Sequence, residues 1–161
     1  MTASGVDTIA KFANVSKKTI YNQFGSKESL AEEAILRFSN TVRESWVNDR
    51  VSIQDPKALL IQFFTELEAE SKEGVFYGCI FVNMCREYPE PDHVIHKVAV
   101  THKEALYQEF KERLDNLGIT DHKKRLNIEL IYEGLLSKLL VYQDAKMVND
   151  AKEIVLEILD D

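Results

Sequence analysis

The sequence predicts an all-α fold, and three observations support this. Apolar residues recur at spacings of three and four along most of the chain, which is typical of amphipathic helices. Proline (3) and glycine (6) are scarce among the 161 residues, which argues against a protein built from strands and tight turns. Each apolar stretch also begins or ends at a residue that commonly caps a helix. The length allows one or two domains with a sizeable core.

Two short helices are predicted at the N-terminus. The first covers Val6–Ala13, and Asn14 follows it at a turn where a left-handed backbone is needed, which asparagine tolerates. Ser16 is a suitable N-cap for a second helix over Lys17–Phe24. Gly25 is expected to end that helix.

A long third helix is predicted next, with Ser26 as its N-cap. Its apolar and small residues form one stripe: Leu30, Ala31, Ala34, Ile35, Phe38, Thr41, Val42, Ser45 and Trp46. Asn48–Gln54 is expected to be a polar break after it. A helix of this length suits a connection between two domains, which we place at residues 1–45 and 46–161.

The next segment should begin at Asp55-Pro56, with aspartate as the N-cap and proline in the first turn. A loop is expected over Ser71–Gly78. The run Cys79–Tyr88 is almost continuously apolar, and periodicity alone leaves open whether it is a buried helix or a buried strand.

Three further helices complete the prediction. Asp92 is expected to cap one that closes near Gly118, Asp121 to cap the next, and the last should cover Ala145–Leu159. The apolar stripe predicted for the helix after Asp121 consists of Leu126, Leu130, Ile131, Leu135, Leu139 and Tyr142.

Charge is distributed unevenly, and this matters more than the net value of −7. Residues 1–30 carry four lysines and two carboxylates, a balance of +2. Residues 51–161 carry 13 basic and 21 acidic residues, a balance of −8. A basic end on an acidic body is compatible with one DNA-facing surface. No signal peptide or membrane span is recognisable, so we expect a soluble cytoplasmic protein without membrane contact.

Catalytic and metal-binding chemistry is weakly represented. The G-x-S-x-G, phosphate-loop, H-E-x-x-H and dinucleotide patterns are absent. His93, His96 and His102 lie along one segment, but their spacing supplies no closed set of four zinc ligands. Cys79 and Cys85 are more simply interpreted as buried thiols than as redox sensors. We therefore expect no enzyme activity, no metal and no cofactor.

The two N-terminal helices predict a helix-turn-helix whose second helix reads DNA. Lysines can contact phosphates or guanine, amides can read adenine, and a threonine methyl can pack on thymine. Lys27, at the start of the long helix, would meet a phosphate favoured by the helix dipole. The residues expected at the DNA are Ser16, Lys17, Lys18, Thr19, Tyr21, Asn22, Gln23 and Lys27. The alternative interpretation is a pair of ordinary short helices with solvated lysines.

The segment Ile9–Glu28 resembles the helix-turn-helix of TetR-family transcriptional regulators. The family pattern runs I-A-x-x-A-G-V-S-x-x-T-[LI]-Y-x-x-F, followed by S-K-E, and this chain has I-A-K-F-A-N-V-S-K-K-T-I-Y-N-Q-F-G-S-K-E. Asn14 stands where the family usually has glycine. A second stretch, Gly78–His93, is similar to a G-C-x-F-x-N…E-[FY]-P segment in the regulatory domain of some members.

The resemblance implies a homodimeric repressor that binds an inverted-repeat operator and releases it when a small effector binds. The effector pocket would use aromatic, sulfur and polar side chains of the middle helices: Phe63, Phe64, Phe81, Met84, Cys85, His102, Tyr107, Tyr132 and Leu136. The last two long helices would form the dimer interface, for which the candidates are Ile131, Gly134, Leu135, Ile154 and Ile158. These two sets could also be plain core.

One departure from the family concerns its first helix, because only Met1–Gly5 precede the motif here. The sequence therefore predicts either a late start or a reduced DNA-binding domain, in which Ile9, Phe12 and Ile20 would lose apolar partners. It also leaves an alternative function, a helical dimer that binds a ligand or a protein and no longer binds DNA.

Overall fold

A computed structural model describes residues 5–160, and every regular element in that range is an α-helix. The predicted all-α class is therefore confirmed. The eight helices of the described range are α1 (Val6–Phe12), α2 (Lys17–Phe24), α3 (Lys27–Ser52), α4 (Pro56–Lys72), α5 (Ile80–Glu87), α6 (Val94–Asn116), α7 (His122–Tyr142) and α8 (Lys146–Asp160). Within residues 5–160, none of the helices combines the length and the apolar character that a membrane crossing requires.

The described chain packs as two compact units. One comprises the residues up to Val42 together with Phe81–His102, and the other comprises Arg43–Ile80 together with the residues from Lys103 onward. These units are defined by packing, so they do not test the division at residue 45 that the sequence predicts. That division stays a prediction.

The first unit begins with the predicted helix-turn-helix. Asn14 has a left-handed backbone (φ 53°), and the amide of Val15 donates to the carbonyl of Ala10 across the turn. The Ser16 hydroxyl caps α2 by accepting the Thr19 amide at 3.0 Å. Gly25 ends α2 at φ 75°, a conformation that glycine adopts without strain. The predicted turn, cap and stop are all confirmed.

A small apolar core joins α1 to α2. Val6, Ala10 and Ile20 are buried together, and Ile9 is half-buried against them. Ile20 therefore has apolar partners in α1, which covers it. Phe12, in contrast, is 95% exposed.

The remainder of the first unit is held by aromatic and polar contacts between α3 and the segment that follows Phe81. The Phe81 ring stacks on the ring of the buried His102, with their centroids 3.5 Å apart. The centroid of the Phe38 ring lies 5.9 Å from that of Phe81. His102 Nδ1 is 2.8 Å from the Ser39 hydroxyl, which is also buried. Most of the ambiguous run Cys79–Tyr88 is helical, since α5 covers Ile80–Glu87.

Two predicted helix boundaries are wrong. The polar break over Asn48–Gln54 is mostly helical, since α3 continues to Ser52. Polar residues do not break a helix that contains neither glycine nor proline, and buried Asp49 has a partner in Arg113. Asp92 does not cap α6. The helix begins at Val94, and the capping acceptor is His93 Nδ1, which receives the Ile95 amide at 3.2 Å.

The second unit has an aromatic core. The rings of Phe63 and Phe110 stack with centroids 4.3 Å apart, and Tyr132 meets Phe63, Phe64 and Phe110 at their edges. These contacts bring together α4, α6 and α7.

A buried ionic network lies beside this aromatic core. Arg113 is 1% exposed, with its guanidinium over the Phe63 ring at 4.0 Å. It donates to Glu109 at 2.8 Å and to Asp49 at 3.4 Å, and it also bonds the Leu59 carbonyl. Buried charges are tolerated when they are paired in this way.

The apolar stripe predicted for α7 is only partly correct. The residues that α7 buries are Ile128, Leu135, Leu136 and Leu139. Leu130 is 59% exposed, and Leu126 and Tyr142 are exposed as well. The core of the second unit therefore takes a different face of α7, rotated from the predicted one, and α8 packs beside it through Val148, Ala151 and Val155.

Candidate DNA interface and regulatory residues

Helix α2 presents almost all of its polar side chains to solvent. Ile20 is its one buried residue, and Phe24 packs partly against the same core, so the opposite face is free. The exposed residues include all seven that the sequence assigns to the helix and its cap: Ser16, Lys17, Lys18, Thr19, Tyr21, Asn22 and Gln23. All seven predicted residues are therefore accessible to solvent around the exposed sides of the helix.

Three of these side chains also have local partners. The Ser16 hydroxyl lies 2.8 Å from the Thr19 hydroxyl in addition to capping the helix. The Lys17 ammonium lies 2.6 Å from the Asp7 carboxylate of α1. Lys18, Asn22 and Gln23 are exposed on the same helix.

Lys27 is the first residue of α3, and Ser26 caps this end of the helix. The Ser26 hydroxyl accepts the Ser29 amide at 2.9 Å, which confirms the predicted cap. Lys27 itself is half-buried. Its neighbour Glu28 bonds His93 Nε2 at 2.9 Å, and the His93 ring stacks on Tyr88.

The three histidines that raised the question of a metal site have separate protein partners. His93 contacts Glu28 and Tyr88, His96 Nδ1 lies 2.7 Å from the Tyr88 carbonyl, and His102 bonds Ser39. Over residues 5–160, no group of three or more His, Cys, Asp or Glu side chains is arranged to hold a metal ion.

The predicted effector residues fall into both packing units. Phe81, Met84, Cys85 and His102 belong to the first unit. Phe63, Phe64, Tyr107, Tyr132 and Leu136 belong to the second. Most of these side chains are buried, so they form part of the core of their own unit.

A half-buried polar trio lies next to the aromatic core of the second unit. Glu133 accepts the Lys103 ammonium at 2.5 Å and the Tyr107 hydroxyl at 3.3 Å. Burial, together with the Glu133 charge, raises the pKa of Tyr107 to about 12, so this phenol stays protonated and can donate. Sequence reasoning did not find Lys103 or Glu133, because neither spacing nor charge pattern distinguishes them.

A cavity of about 210 Å³ occurs elsewhere in the second unit. Its lining combines charged, polar and apolar side chains: Arg50, Leu59, Glu112, Arg113, Asp115 and Asn116. None of these residues belongs to the predicted effector set. The ionic network around Arg113 was also missed, because a charged residue in an amphipathic helix ordinarily predicts exposure.

The predicted dimer residues differ in exposure. Gly134 is exposed with open space around its α-carbon, Ile154 is exposed, and Ile131 and Ile158 are half-buried. Leu135 is buried in the core of its own unit, so it has little surface left to offer a partner.

Comparison with known proteins gives matches at two levels. Residues 1–34 match the model of "Bacterial regulatory proteins, tetR family". The HTH-type transcriptional regulators YjdC of Escherichia coli K12 and of Shigella flexneri are each 29% identical over 137 residues, which are 83% of this chain and 71% of theirs. The crystal structure of SCO4454, a TetR-family regulator from Streptomyces coelicolor, superposes with a TM-score of 0.86 at 20% identity, covering 99% of this chain and 85% of that one.

These matches agree with the geometry of α1 and α2. The structural likeness supports the fold, while the sequence matches indicate that the N-terminal segment is a helix-turn-helix of the TetR type. The match over residues 1–34 argues against the alternative of a helical dimer that binds a ligand or a protein and no longer binds DNA. Residues 1–34 therefore match the DNA-binding segment of the TetR family, and the comparisons together support a TetR-type DNA-binding transcriptional regulator.

Proposed function

We propose that this regulator is a ligand-responsive repressor that acts in the cytoplasm as a homodimer on an inverted-repeat operator. The observation that carries the DNA contact is the surface of α2, where polar side chains are exposed and Ile20 anchors the helix from behind. Such a helix fits the major groove, and a two-fold dimer would present two copies about one helical turn apart.

A selection from random duplex DNA tests this proposal directly. The protein is incubated with a randomised pool, and the retained DNA is sequenced. Enrichment of an inverted repeat supports a dimeric sequence reader. A folded protein that enriches no sequence would contradict the proposed contact.

The phosphate roles of Lys17 and Lys27 and the base roles of Asn22 and Gln23 are separable by mutation. Lys17→Ala or Lys27→Ala is expected to weaken binding to all sequences and to reduce the salt slope by about one each. Lys111→Ala is the matched control, because Lys111 is an exposed lysine paired within α6. Asn22→Ala or Gln23→Ala should instead relax the base preference at one position of each half-site.

The dimer proposal depends on an exposed stripe of α7. Leu126, Leu130, Gly134 and Val141 follow one face of the helix at spacings of three to four or their multiples, and all four are exposed. An added Cβ at Gly134 would meet no atom within 4 Å, so another helix can approach closely there. Exposed apolar stripes of this kind mark association surfaces.

Sedimentation equilibrium of two charge variants tests the dimer. Leu130→Glu places a carboxylate in the stripe and is expected to give a folded monomer. Val47→Glu is the matched control, because Val47 is exposed to the same extent, 59%, but lies on α3. A Leu130→Glu protein that remains dimeric would exclude this face.

The proposed effector site lies among the predicted aromatic residues of the second unit. Tyr107, Glu133 and Lys103 supply the polar groups that orient a ligand, and the half-buried Tyr132 ring supplies apolar surface. A ligand releases the operator only if it binds the DNA-free geometry more tightly than the DNA-bound one.

A screen of small aromatic compounds by thermal shift, followed by operator release, tests the effector site. Compounds that do both should lose affinity for Tyr107→Phe, which removes the hydroxyl bonded to Glu133. Tyr142→Phe, at an exposed position, should leave them unaffected. Effectors that bind Tyr107→Phe as well as the wild type would place the site elsewhere.

A further inference from the structure

An ion pair joins the two helices of the DNA-binding motif on its solvent side. Asp7, in the first turn of α1, lies 2.6 Å from Lys17, the first residue of α2. Val6 and Ile20, close to these residues in sequence, are buried in the same small core. The fold of the motif therefore brings the carboxylate and the ammonium to each other.

The position of the Asp7 carboxylate is favourable even without Lys17. A negative charge in the first turn of a helix is favoured by the helix dipole, whatever its side-chain partner. Residues 1–30 contain only two carboxylates, Asp7 and Glu28. Glu28 bonds His93. Asp7 is therefore the one of the two that pairs with a lysine predicted to contact DNA.

We propose that Asp7 competes with DNA phosphate for Lys17 and thereby sets the affinity of the regulator. While the Lys17 ammonium is bonded to Asp7, it is less available to bind a phosphate. A phosphate that does bind Lys17 is also repelled by the nearby Asp7 carboxylate. This inference rests on the proposed phosphate contact of Lys17. Its consequence is that binding at Lys17 contributes less than a free lysine would, most of all at low salt.

Duplex affinity measured across a salt series tests the competition. The proteins are the wild type, Asp7→Asn, Lys17→Gln and the double variant, and the probe is a random-sequence duplex. An exposed ion pair is worth about 0.2–1 kcal/mol, so Asp7→Asn should bind about 1.4- to 5-fold more tightly at low salt. The gain should shrink as salt rises and should vanish in the Lys17→Gln background.

A matched control separates this effect from the general loss of one negative charge. Asp92→Asn also removes an exposed carboxylate paired with a lysine in the same unit, Lys97 at 3.3 Å, but one without a proposed DNA contact. It should leave duplex affinity unchanged. The melting temperatures of all variants show whether the motif remains folded.

The possible failures are distinguishable. If Lys17→Gln weakens binding but Asp7→Asn brings no gain, the competition is wrong while the phosphate contact stands. If Asp7→Asn weakens binding in a fully folded protein, Asp7 orients Lys17 and does not compete with DNA. A gain that persists in the double variant would indicate direct repulsion of DNA and would also overturn the competition. If Lys17→Gln leaves affinity and salt slope unchanged, the proposed phosphate contact itself fails.

Discussion

The buried pair of Glu109 and Arg113 predicts a large and non-additive effect on stability. Glu109 accepts from both Arg113 and Arg50. Burial alone would raise the pKa of Glu109, but the hydrogen bonds from Arg50 and Arg113 outweigh it and hold the pKa below its ordinary value. The carboxylate is therefore charged in the folded protein at neutral pH, and it compensates the charges of both Arg50 and Arg113.

The magnitude follows from what each substitution leaves behind. Glu109→Met leaves the buried Arg113 with one carboxylate, Asp49, at 3.4 Å, and an insufficiently paired buried charge costs about 3–5 kcal/mol. Arg113→Met leaves Glu109 with its bonds to Arg50, so we expect a smaller loss of about 2–3 kcal/mol. The double variant removes both buried charges and should lose less than the sum of the two.

Urea unfolding followed by circular dichroism measures these free energies as a double-mutant cycle. The expected coupling between Glu109 and Arg113 is at least about 1.5 kcal/mol. Glu112→Met is the control, because Glu112 also bonds Arg50, at 2.8 Å, but its side chain is 43% exposed. Its loss should stay below about 1 kcal/mol. Additive single effects, or a Glu109→Met loss no greater than that of Glu112→Met, would refute the reasoning.

Three further predictions concern single positions. Hydrogen bonds from Lys152 and then Lys72 lower the pKa of Glu68 from 4.5 to about 2, so its contribution to stability is present above pH 4.5 and is lost as pH falls towards 2. Glu68→Gln should therefore flatten the acid limb of a stability curve, and an unchanged limb would contradict this. Ser16→Ala removes the α2 cap and should cost about 1 kcal/mol by denaturant unfolding, whereas Ser16→Asp should retain most of it. Asn14→Val places a β-branched residue at φ 53° and should lower the melting temperature, while Asn14→Gly should not.

Local signals in the sequence predicted the helix ends well. The caps at Ser16, Asp55 and Asp121 are present, each with its side chain accepting a first-turn amide. Gly25 ends α2 as predicted. These features succeed because one side chain and a backbone group three residues away decide them.

The errors arise where longer-range packing decides. Asn48–Gln54 was expected to be a break because it is polar, but Asp49 is buried against Arg113, 64 residues away. Asp92 has the residue type of a cap, but His93 accepts the first-turn amide instead, and its ring also bonds Glu28, which is distant in sequence. Sequence separation hides such partners from any local pattern.

The sequence by itself determined the all-α class, the helix-turn-helix with its turn and caps, and which side chain of α2 is buried. Hydrogen bonds and side-chain periodicity within a single turn of helix are sufficient for these. Only the tertiary structure decided which face of α7 is buried, which charges are paired inside the second unit, and that Asp7 meets Lys17. Each of these depends on a contact between separate helices, whose relative placement follows from the packing of the whole unit.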